Sequence, residues 1–141
     1  ERTAEEIKIQ IGSAYAQDEN QSIIMRGRDL VTGLPKAIPI SDREVREALS
    51  GSVASVVDAI KYTIEETPPE LLADIMERGI WLSGGGALLS GLDQLIQKVT
   101  TIPTHVVDDP LTAVARGTGY ILEDLEILKP VFLDADFKPR I

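Results

Sequence analysis

The residues best placed to do chemistry are three consecutive glycines, Gly84, Gly85 and Gly86, which follow the short apolar run Gly79-Ile-Trp-Leu-Ser83 and precede a helical pattern. A strand that ends in such a run lets backbone come within contact of a ligand that any Cβ would repel. A nucleotide is the ligand class that this arrangement suits. The run is not a P-loop, because no Gly-Lys-Ser/Thr follows, and it is not the dinucleotide fingerprint, because Leu89 stands where a third glycine is needed. Taken alone, a glycine triplet is equally well a tight turn.

Three other groups of residues carry weaker signals. Glu5 and Lys8 lie three apart on one helix face, where a carboxylate and an ammonium can bond an adenine edge or ribose hydroxyls, or simply each other in solvent. Ala113 with Gly117, and Ala115 with Gly119, stand at i and i+4, which permits close approach of a ligand or backbone, or tight packing of a helix on a sheet. His105 is the single histidine and there is no cysteine, so a zinc site and a thiol nucleophile are both disfavoured, and no G-x-S-x-G elbow is present. His105 is read as structural and Trp81 as a core residue. The paired carboxylates, Glu65 with Glu66 and Asp108 with Asp109, fall at element ends, where solvent or a helix N-terminus accounts for them.

The elements that must position these residues are legible from caps and periodicity. Three Ser/Thr-x-x-Glu boxes mark helix starts at Thr3, Ser41 and Thr67. The first predicts an amphipathic helix over 3–15. Residues 21–40 hold short apolar runs around a glycine-bearing turn and predict a β-hairpin, with Pro35 and Pro39 confining its second strand to an edge. A stripe through Val45, Leu49, Val53, Val56, Val57, Ile60 and Ile64 predicts a long helix to Glu66, with a break near Gly51. Another helix starts at the Pro68-Pro69 pair. From residue 79 the order is strand, glycine loop, helix (88–99), strand (103–107) and helix (111–124), the last capped by Asp109 and Pro110. Strand, helix, strand, helix implies a parallel pair with a right-handed crossover. The tail from Pro130 receives no assignment.

Composition bounds the rest. A chain of 141 residues, 43% hydrophobic, is the size of one ordinary domain. Its formal charge of -9 opposes binding to nucleic acid or to an anionic membrane, and no basic patch overrides it. Absence of cysteine gives no support to an oxidising compartment, so the cytoplasm is the default, and no apolar run approaches a bilayer span. A first residue of Glu1, leading straight into a helical pattern, implies a piece of something longer.

Four stretches, Glu1-Arg-Thr-Ala-Glu-Glu-Ile-Lys8-Ile-Gln-Ile-Gly12-Ser, Thr67-Pro-Pro-Glu70-Leu, Arg78-Gly-Ile-Trp-Leu-Ser-Gly-Gly-Gly-Ala87-Leu-Leu and Asp109-Pro-Leu-Thr-Ala-Val-Ala-Arg-Gly117, together resemble the MreB family of bacterial rod-shape-determining actin homologues. The likeness implies an α/β fold, the second lobe of an actin-like ATPase: a small α+β outer subdomain over 1–66 and the C-terminal part of a βαβα inner subdomain over 67–141. It makes Gly84, Gly85, Gly86, Ala87, Leu88 and Leu89 the adenosine motif, faced by Glu5, Glu6 and Lys8. It implies ATP as cofactor (Mg-ATP in the full-length parent), filament formation, and membrane-anchored cell-shape proteins as partners at the inner face of the membrane. It also assigns the phosphate loops, the magnesium carboxylates and the membrane contact to an N-terminal half that lies outside these residues, so ATP hydrolysis is not expected of this chain alone. Two alternatives stay open: the second lobe of another actin-fold ATPase or sugar kinase, and a stand-alone interaction module without ATP binding.

Overall fold

The computed structural model describes residues 2–16, 20–124 and 127. Helix α1 (Arg2–Ile11) leads into an antiparallel hairpin of β1 (Ser22–Arg28) and β2 (Pro35–Ser41), in register from Ser22 opposite Ser41 to Arg28 opposite Pro35. Asp29 closes the turn. Its carboxylate accepts the amides of Val31 (2.8 Å) and Thr32 (3.1 Å) and the ammonium of Lys36 (3.0 Å), an Asx-type arrangement that stands in for backbone pairing. The amide of Thr32 foremost, then Lys36 and the amide of Val31, holds the Asp29 carboxyl below its ordinary value.

Helix α2 (Asp42–Glu65) begins on the expected capping box. The Glu44 amide donates to the Ser41 hydroxyl (3.3 Å) while the Glu44 carboxylate accepts the Ser41 amide (2.8 Å). The other two boxes do not form. Thr3 already lies inside α1, where Glu6 pairs instead with Arg2, and the Thr67 hydroxyl donates backwards to the Thr63 carbonyl, leaving Pro68 to precede α3 (Pro69–Arg78). The expected break at Gly51 is absent, because that glycine sits on an exposed face where it only lowers helix propensity by about 1 kcal/mol.

Strands β3 (Ile80–Leu82) and β4 (Thr104–Val106) pair in parallel, as the strand and helix order requires, with Trp81 opposite His105. Between them runs α4 (Leu92–Thr100), and α5 (Ala113–Glu123) follows β4. Two helix starts differ from expectation. Residues 85–88 form a 3-10 turn and Gly91 takes a left-handed conformation, which delays α4 to Leu92. Asp109 has a φ of +49°, and its carboxylate is engaged by the Thr112 hydroxyl, which moves the start of α5 to Ala113. Helix α1 likewise stops at Ile11, before the expected end, because Ser13 leaves the helix to form a bridge with Ser90.

The core is built on Val57, Leu92 and Ile96, with Val53, Ile60, Ile80, Leu82, Leu89 and Leu95 packed against it. Ile80 and Leu82 face it together, so strand alternation sends Trp81 to the opposite face. That side chain is 62% exposed and lies against His105, with ring centroids 4.9 Å apart, which corrects the reading of Trp81 as core. Helix α5 buries no residue, and nothing lies within 4 Å of where a Cβ would stand on Gly117 or Gly119. Gly117 and Gly119 therefore mediate no close backbone approach among the described residues. The unassigned tail from Pro130 lies outside them.

Candidate nucleotide site

The glycine loop is held from both ends. At its start, Gly84 has φ +83° and ψ 176°, a conformation that L-residues avoid, and its amide donates to the carbonyl of Pro110 at 2.8 Å. The loop after β3 is thus tied to the loop after β4. At its end, Ala87 is buried and Leu89 packs into the core, so Leu89 offers a ligand only its backbone. Within the turn the Ala87 amide donates to Gly84 (3.2 Å) and the Leu89 amide to Gly86 (3.1 Å).

Gly85 and Gly86 differ from Gly84. Both are exposed, neither has a positive φ, and a Cβ on Gly86 would meet nothing within 4 Å, while one on Gly85 would make ordinary contact with Leu111 at 3.6 Å. Neither packing nor backbone conformation demands glycine at these two positions. What the missing side chains leave is an open backbone surface at the C-terminal end of a parallel strand, where ligands bind in α/β sheets.

Helix α1 reaches the loop through backbone. Ser13, just beyond its end, bridges to Ser90 in parallel fashion, and the Ala14 amide donates to the Ser90 carbonyl at 2.8 Å. Gly12 makes this exit possible, since a Cβ there would collide with the Lys8 carbonyl. On the helix itself, Lys8 and Glu5 form an ion pair of 2.6 Å, both side chains partly exposed at 41% and 56%. A solvent-exposed pair of this kind contributes little to stability and opens readily toward another polar partner. Glu6 points elsewhere: it pairs with Arg2 at 3.1 Å and lines a shallow cavity between α1 and β1 with Thr3, Ile7 and Ile23. The structure therefore joins the segment that follows α1 to Ser90, next to residues 84–89, while Glu5 and Lys8 bond each other and Glu6 faces the hairpin.

Three participants had no sequence signal for the contacts they make. Ser13 and Ser90 meet only through the fold, and Pro110, expected as a first helical residue, instead supplies the carbonyl that fixes Gly84. No cluster of three metal-ligating residues occurs among the described residues, and no described helix is long and apolar enough to cross a membrane.

Comparison with known proteins places this geometry. The family profile described as MreB/Mbl protein matches residues 1–130. The cell shape-determining protein Mbl of Bacillus subtilis is 48% identical over 128 residues, covering 91% of this chain and 38% of that protein. The cell shape-determining protein MreB of Escherichia coli K12 is 48% identical over 127 residues, covering 90% of this chain and 37% of that protein. Among solved structures, MreB5 of Spiroplasma citri bound to ADP superposes with a TM-score of 0.83 at 37% identity, covering 89% of this chain and 38% of that one. The same protein bound to AMPPNP gives 0.83 at 36% identity over 94% of this chain and 40% of that one. The expected fold class holds: this is an α/β lobe of the actin-like type. The chain spans well under half the length of the relatives it matches, and by sequence and by fold it belongs to the MreB/Mbl family.

Proposed function

We propose that this chain is the adenosine-binding lobe of an actin-like, ATP-dependent filament protein that determines cell shape by organising cell-wall synthesis. The observation that carries the reading is the exposed, structurally unforced pair Gly85 and Gly86, on a loop that leads into Ser90, the residue bridged to Ser13 just after α1. Relatives named for cell shape, and a relative solved with ADP and with AMPPNP, support it.

In this reading residues 84–89 bound one wall of the adenosine pocket, with backbone in contact with ribose and base. Lys8 and Glu5 form the other wall by exchanging part of their mutual ion pair for ligand hydrogen bonds, and Glu6, which faces the hairpin, joins them only by leaving its pair with Arg2. Residues 1–66 form the outer subdomain, α2 included, and 67–141 part of the inner one. Bound Mg-ATP supplies the phosphoanhydride whose hydrolysis loosens the filament. The residues of this chain do not act on that bond; they bind, orient and exclude water around the adenosine end. Closure of two lobes around the nucleotide favours head-to-tail addition, and because such contacts do not close on themselves they build an open filament. Membrane-anchored cell-shape proteins at the inner face of the membrane are the partners in this reading, and membrane contact belongs to the other lobe.

Photolabelling the chain with 2-azido-ADP tests this. Label is expected in the peptides holding residues 5–8 and 84–89 and is suppressed by excess ADP. Label spread over the hairpin and α3, or insensitive to ADP, would remove the proposal.

A further inference from the structure

One polar cluster lies at the junction where the segment after α1 meets Ser90. Ser13 is 2% exposed and Asp42 is 6% exposed, and both are engaged by the same side chain. Arg46 donates from Nη1 to the Ser13 hydroxyl at 3.1 Å and stands 3.6 Å from the Asp42 carboxylate, one helical turn back on α2. The Asp42 amide in turn donates to the Gln21 carbonyl at the entry to the hairpin (2.9 Å). Arg46 thus connects the start of α2 to the residue whose backbone pairs with Ser90, directly after the glycine loop.

We infer that Arg46, held by Asp42, is a positioning residue of the nucleotide site, fixing α1 in register with residues 84–89 without touching the ligand. The inference rests on the adenosine reading above. The physical reason is that a buried hydroxyl and a buried carboxylate are costly without partners, so the Arg46 Nη1 that donates to the first and forms an ion pair with the second also fixes the distance between the elements that carry them. The exposed neighbour Arg43, paired with Glu47 at 3.1 Å, performs no such linkage.

The test compares the unaltered 141-residue chain with Arg46→Met, Arg46→Lys and Arg43→Met, using amide hydrogen exchange and ADP titration followed by NMR. The Ala14 amide, bonded to Ser90, reports the junction without ligand. In Arg46→Met its exchange is expected to accelerate about tenfold, a change of about 1.4 kcal/mol in local opening, while amides near Val57 stay protected. ADP binding is expected to weaken about threefold to tenfold, with Arg46→Lys restoring part of both effects and Arg43→Met changing neither. Unchanged exchange at Ala14, a uniform rise across the whole chain, or altered exchange with unaltered ADP affinity would each overturn the inference. Failure of the unaltered chain to bind ADP would instead sink the adenosine reading, and with it this role, so the two failures are distinguishable.

Discussion

At the residue scale the three glycines divide by what constrains them. Gly84 is required by its own backbone, at φ +83°, and Gly84→Ala is expected to destabilise the chain by about 1–3 kcal/mol in urea unfolding. Gly86 has open space and no positive φ, so Gly86→Ala is expected to leave stability unchanged or raise it by up to about 1 kcal/mol, while weakening ADP binding. Equal destabilisation by both changes would mean that the triplet is only a turn. The sequence announces this loop, because glycines between a strand and a helix are a local pattern. It does not announce Pro110 or Ser90, whose roles are backbone contacts made across the fold. Trp81 shows the converse failure: a three-residue apolar run is consistent with burial on both faces, and only the packing of Ile80 and Leu82 against the core reveals which face is covered.

At the element scale, the start of α2 is the best-determined feature of the sequence. Only at Ser41 do hydroxyl and carboxylate both close the box, because at Thr3 the helix already includes the capping position and at Thr67 the hydroxyl is turned back to Thr63. The amide and then the hydroxyl of Ser41 hold the Glu44 carboxyl below its ordinary value of 4.5. A lowered folded-state value means that the native state favours the ionised form, so this contribution is fully present above pH 4.5 and is lost as pH falls through the lower folded value. Thermal unfolding of the chain and of Glu44→Gln between pH 7 and pH 3 checks this. The gap in Tm is expected to be widest at neutral pH and to shrink in acid; a gap independent of pH would exclude the mechanism. The late start of α4 was less legible, since the 3-10 turn at Gly85–Leu88 continues the apolar pattern that reads as helix. The missing break at Gly51 reflects tertiary packing of Val45 and Val57 on one helix, which outweighs the propensity of a single glycine.

At the scale of the whole molecule, the apolar core draws residues from both sides of the boundary proposed at residue 66. Val53, Val57 and Ile60 from α2 pack with Leu92 and Ile96 from α4 and with Ile80 and Leu82 from β3, so α2 ties the hairpin half to the sheet half. Ile96 is fully buried, and Ile96→Ala is expected to cost about 2–5 kcal/mol and to destabilise both halves together, with Trp81 fluorescence and far-UV circular dichroism tracing one coincident transition. Two separated transitions would show that the halves fold independently. Periodicity revealed the helical stripe of α2, whereas the identity of the elements that cover it depends on contacts distant in the chain. The central claim is that residues 84–89 and the facing part of α1 form the adenosine wall of a nucleotide site. It is tested most directly by titrating the isotopically labelled chain with ADP to about 10 mM, a range that detects affinities of only about -4 kcal/mol, and following backbone amide shifts. The account predicts saturable shifts concentrated at Gly84, Gly85, Gly86, Ala87, Leu88 and Leu89 and at Glu5 and Lys8; no shift, or shifts centred on the hairpin, would contradict it.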